Sequence, residues 1–96
     1  MALSLTARID VARLEAERLR AVTRSAWCGA SLDLAEQDLE FAAVWLDVAE
    51  ADHVGDAHAV AAMSLRLAEL RLKGIAAVLR KFGLRGAVEA GVLRPF

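Results

Sequence analysis

Along the first third of the chain, Leu5, Ile9, Ala12, Ala16, Leu19 and Ala26 fall on one stripe, while Arg13, Arg20 and Arg24 line another. Steps of three and four place residues on one face of a helix, so the spacing predicts an amphipathic α-helix over about residues 5–27. Ser4 or Thr6 is suited to cap its start, Gly29 to follow its end, and Ser31 to cap the next element. A second helix follows at about residues 32–52. There Leu34, Leu39, Phe41, Val44, Trp45, Leu46 and Val48 wrap well over half the circumference, the pattern of a central helix with two neighbours. A third is expected over about residues 57–82, from Asp56 at its start to Arg80 and Lys81 before Gly83. Val60, Met63, Leu67, Leu70, Ile75, Val78, Leu79 and Phe82 cover much of its surface.

Turn-forming residues gather at 28–31, 53–56 and 83–86, and the sole proline is Pro95. A short helix is expected around residues 87–90, between Gly86 and Gly91. The expected fold is all-α: one domain over residues 1–96, three long amphipathic helices in a bundle with a short C-terminal helix, completed by oligomerisation.

Composition narrows the class. The chain has 96 residues, 57% of them apolar, which excludes a disordered segment. Its charge-free runs fall far short of the ~20 residues needed to cross a bilayer. Arg8, Asp10 and Arg13 occupy the stretch where a signal peptide needs an apolar core. Cys28, the one cysteine, has no internal disulfide partner. A cytoplasmic domain with no membrane contact is therefore expected.

The net charge of −1 conceals a segregated layout. Residues 1–30 carry +2 and residues 66–96 carry +5, whereas residues 31–65 hold eight carboxylates and neither lysine nor arginine. Asp33, Glu36, Glu40, Asp47 and Glu50 recur at helical spacing as an acidic ridge. Such a ridge either pairs with arginines of the flanking helices or meets the basic stripe of another molecule.

The apolar surplus points to association. Two of the three helices are apolar over more than half their perimeter, and a lone three-helix bundle gives each helix only two neighbours. Trp45, Leu46, Leu67, Leu70, Leu72 and Phe82 are the candidate core or interface anchors, with Glu36, Glu40 and Asp47 as the candidate specificity surface. The expected function is a non-catalytic protein–protein interaction module, an adaptor, regulator or structural subunit acting as a homo-oligomer or on a helical partner.

Two alternatives rest on local chemistry. Glu50-Ala-Asp-His53 is a Glu-x-x-His pair with Asp56 and His58 close by. Its spacing resembles the motif of ferritin-like carboxylate bundles, which implies a divalent metal held by Glu50 and His53 at a shared subunit interface with Glu15, Glu17 or Glu36 as bridging ligands; Asp56 and His58, close in sequence, are further candidate ligands. The chain holds one such motif, so a complete site needs a second copy. The other alternative is a small nucleic-acid-binding regulator, using Arg66, Lys73, Arg80 and Lys81 against phosphates. The acidic ridge and the overall charge disfavour it. No acid, base and cation converge on a nucleophile, so catalysis is not expected, and no resident cofactor is expected either. Trp27-x-Gly29 matches the Trp-x-Gly turn of small secreted helical-hairpin proteins of Gram-positive bacteria. In those the turn joins two helices near mid-chain, whereas 67 residues and another break follow it here, so the chain is not assigned to them.

Overall fold

The computed structural model describes residues 3–23, 26–52 and 55–89, with side chains for all of these except Asp52 and residues 82–89. Three helices account for nearly all of them: α1 (Leu5–Val22), α2 (Ala26–Asp52) and α3 (Gly55–Glu89). No strand occurs among the described residues. Each helix packs on the other two, and α2 against α3 is much the larger contact. The fold is an all-α three-helix assembly, about 50 Å in its longest dimension.

Helix α1 begins as its sequence requires. Ser4 is the N-cap, and its Oγ accepts a hydrogen bond from the Ala7 amide at 3.1 Å. Its end is earlier than expected. Thr23 leaves the helix in an extended conformation after its amide bonds the Leu19 carbonyl, and Trp27, Cys28, Gly29 and Ser31 all belong to α2. The reason is the phase of the apolar repeat. Ile9, Ala12, Ala16 and Leu19 are buried on α1, and continuing their steps would put Asp33 and Gln37 into the core. On α2 the buried set is Cys28, Leu32, Ala35, Leu39, Ala42 and Leu46, and running it backward would bury Arg18. One continuous helix cannot satisfy both phases, so the chain breaks between them. Trp27, which the expected helix over residues 5–27 includes, is accordingly a half-exposed residue at the start of α2.

The third helix is longer than expected. It passes through Gly83 and Gly86 without a break and takes in residues 87–89, so there is no separate short C-terminal helix within the described chain; Ala90 lies outside it. Glycine lowers helix propensity by ~1 kcal/mol but leaves the amide in place, so without proline the helix can continue. At 35 residues against 27 and 18, α3 is ~52 Å long and overreaches both partners.

Leucine and alanine alternate along the α2 seam from Leu32 to Leu46 and along the α3 seam from Ala61 to Leu72. Steps of four and three give a seven-residue repeat that keeps one side of each helix facing its neighbour. The small residues let backbones approach while the leucines fill the space between. Leu32, Leu39, Leu65, Ile75 and the Cys28 side chain are fully buried.

Gly74 is an unforced weakness in α3. A Cβ built there meets nothing within 4 Å, and the residue is exposed in mid-helix. Gly74→Ala should therefore stabilise the dilute chain by ~0.5–1 kcal/mol, raising its urea midpoint without changing the slope of the transition.

Candidate interaction surfaces

Ion pairs fix which side of each helix faces which neighbour. Arg8 on α1 grips Glu69 on α3 through two hydrogen bonds, one from Nε to Oε2 at 3.3 Å and one from its terminal nitrogen to Oε1. Arg20 on α1 bridges Asp33 at 2.8 Å and Glu36 at 3.0 Å on α2. Arg71 on α3 bonds Asp38 on α2 at 3.0 Å. The hydrogen bonds from Arg8 to Glu69, and from Arg20 to Asp33 and Glu36, raise both guanidinium pKa values above their ordinary level. These arginines stay charged, and the exposed Arg20 pairs orient α1 on α2 at ~0.2–1 kcal/mol each.

The side of α2 and α3 that carries the Asp38–Arg71 pair points away from α1, and it is apolar. Trp27, Leu34 and Phe41 recur there at seven-residue steps on α2, with Val44 beside them. Met63, Leu67 and Leu70 lie on the facing part of α3. These seven side chains are between 44% and 67% exposed. The Phe41 and Trp45 rings pack at 5.9 Å between centroids with a tilt of 55°, so part of the patch is preformed. Gly74 lies on the same side of α3, seven residues from Leu67.

Sequence-predicted anchors divide between this face and the core. Leu46 and Leu72 are buried within the chain itself. Trp45 is partly buried against the core, while Leu67 and Leu70 are on the outer face. The Phe82 side chain lies outside the described residues. Among the predicted acidic residues, Glu36 is engaged by Arg20, whereas Glu40 and Asp47 are exposed and form no ion pair among the described residues. The stripe of Trp27, Leu34 and Phe41 was missed as a unit, although its seven-residue spacing is visible in the sequence. The repeat shows only when Trp27 belongs to the same helix as Leu34 and Phe41.

A groove of about 860 Å³ runs between α1 and α3 on the other side of the molecule. Val11, Leu19, Val22, Leu72, Ala76 and Leu79 are among its apolar lining, and Arg66, Lys73 and Arg80 are on its α3 rim. Three of the four residues considered for nucleic acid thus share one edge, and Lys81 is not part of the groove lining. Arg8 and Arg18 also line it, but each is engaged by a carboxylate, Glu69 and Glu15 respectively.

The junction of α2 and α3 contains a smaller depression of about 520 Å³, lined by Glu50, Gly55 and His58 together with Ser4, Leu5 and Thr6 at the start of α1. Two of the four predicted metal ligands, Glu50 and His58, therefore line one hollow. Asp56 is exposed in the first turn of α3, and His53 lies outside the described residues. Among the described residues no group of three or more His, Cys, Asp or Glu side chains gathers as a metal site. Cys28 is buried, is in no disulfide, and lies in the first turn of α2 and not at the end of α1. No described helix is long and apolar enough to cross a membrane. Comparisons with protein-family models, with curated proteins and with solved structures give no match for this chain.

Proposed function

We propose that this chain is a non-catalytic helical interaction module that self-associates through the outer face of the α2/α3 hairpin. The observation that carries this reading is the apolar stripe of Trp27, Leu34, Phe41, Met63, Leu67 and Leu70, exposed on the side that α1 does not cover. Contiguous apolar patches of this kind are uncommon on monomers unless they bind something.

Area supports a second copy as the occupant. The chain exposes 6212 Å², whereas a compact monomer of 10.3 kDa is expected to expose about 5,400 Å². The excess, roughly 800 Å², is the size of one partner's share of a standard interface. Both helices of the hairpin contribute, so two copies related by a twofold axis can lay the same patch against itself. Aromatic rings flanked by leucine and methionine are the composition expected at the centre of such a contact.

Sedimentation equilibrium over a wide concentration range tests the reading. The expected result is a concentration-dependent rise from one copy to at least two, accompanied by loss of binding of a dye that reports exposed apolar surface. A single-copy mass at every concentration, with the dye still bound, would contradict it.

A further inference from the structure

The hairpin face leaves the groove between α1 and α3 unexplained. Its floor is apolar, yet Arg66, Lys73 and Arg80 stand along one edge without an ion pair among the described residues. The other charges that line it, Arg8 with Glu69 and Arg18 with Glu15, close on one another. Its uncompensated charge is therefore positive. The three cations are spaced by seven residues, so at 1.5 Å per residue the row is ~21 Å long.

A row of the same period exists on α2. Asp33, Glu40 and Asp47 are also seven residues apart, and they are exposed. Ala30 and Gln37 run beside them at the same interval, presenting side chains small enough to enter a groove between two helices. Glu40 and Asp47 form no ion pair among the described residues, and Asp33 shares Arg20 with Glu36. We propose that the α1/α3 groove of one copy seats helix α2 of a second copy, with the Asp33, Glu40 and Asp47 row of that copy against Arg66, Lys73 and Arg80. Because the two rows have equal length and equal period, they can match with the helices parallel or antiparallel.

An apolar floor favours a helix over a phosphate backbone, which would leave that floor in contact with its own hydration water. The groove and the acidic row are different surfaces of the subunit, so the contact is heterologous and links copies head to tail. It goes beyond the hairpin-face dimer and stands whether or not that dimer forms.

Charge reversal tests it in the 96-residue chain. By sedimentation velocity at low salt, the wild type should grow past two copies, and growth should weaken as salt is added. The triple variant Arg66→Glu, Lys73→Glu, Arg80→Glu should stop at two copies or fewer, as should Asp33→Lys, Glu40→Lys, Asp47→Lys. An equimolar mixture of the two variants should recover the large assembly, since each α2 then meets a groove of opposite sign. Circular dichroism checks folding; if the lysine variant loses helicity at Asp33, Glu40→Lys with Asp47→Lys leaves the Arg20 pairs intact and takes its place. Large assemblies that survive either reversal would overturn the proposal, as would a wild type that never exceeds two copies or a mixture that fails to recover. A short DNA duplex supplies the remaining arm: binding lost in the glutamate variant while its assembly matches wild type would assign the row to phosphates instead.

Discussion

Truncating Leu65 to alanine is expected to remove about 2–5 kcal/mol of folding stability, a large share of the ~5–15 kcal/mol available to a chain of this kind. Leu65 is fully buried on α3, and the core positions one turn before and after it on the same helix are Ala61 and Ala68. Neither alanine can extend into the vacated space, so the cavity should persist instead of collapsing. The thermal midpoint should fall by ~10 °C or more. Leu67→Ala is the matched control. It changes the same residue type two positions along the same helix, but Leu67 is half exposed, so its loss should cost the dilute chain under ~1 kcal/mol. Thermal and urea denaturation of both variants at low concentration measures the difference. Equal losses would mean that α3 is rotated about its axis relative to the packing described here.

That contrast also marks where the sequence was legible. The all-α class, the three long helices, a cap at Ser4 or Thr6, which the structure places at Ser4, and the break near Gly55 follow from periodicity and local chemistry. On α1 the buried stripe of Ile9, Ala12, Ala16 and Leu19 is the one its spacing predicts. The α1/α2 boundary lies before Gly29, the turn residue in the sequence, because apolar phase outweighs a glycine's freedom. A glycine permits a turn without requiring one, whereas a charged residue in a core phase forbids continuation, and the phases of Leu19 and Leu32 cannot be joined. Gly83 likewise permits a stop that α3 does not take. Residue counting also could not separate core from surface on α2 and α3. Leu46 and Leu67 are equally apolar in the sequence, and only the direction of the Arg71–Asp38 and Arg8–Glu69 pairs reveals which side α1 covers. The basic groove was half legible. Arg66, Lys73 and Arg80 were visible as a row, but their apolar floor comes partly from α1, distant in sequence.

Replacing Met63 and Leu67 together by glutamate should separate folding from association. Met63 is mostly solvated and Leu67 half exposed in the single chain, so helicity and the dilute-solution urea midpoint should stay near wild type. In a twofold contact each substitution occurs twice, and four carboxylates would have to enter an apolar interface where the cation on that side, Arg71, is already bonded to Asp38. Burying an unpaired charge costs several kcal/mol, so self-affinity through this face should drop by about a hundredfold or more. The two tryptophans of the chain give an independent readout, since Trp27 lies on the patch and Trp45 stacks beside it on Phe41. Their emission should shift to shorter wavelength as the wild type is concentrated, and the double variant should show no such shift. The groove row is untouched by these substitutions, so any salt-sensitive, head-to-tail growth should persist in the variant while the step from one copy to its twofold mate is lost. A double variant that associates as strongly as wild type, with the same tryptophan shift, would remove the hairpin face from the account and leave the groove as the surface that holds copies together.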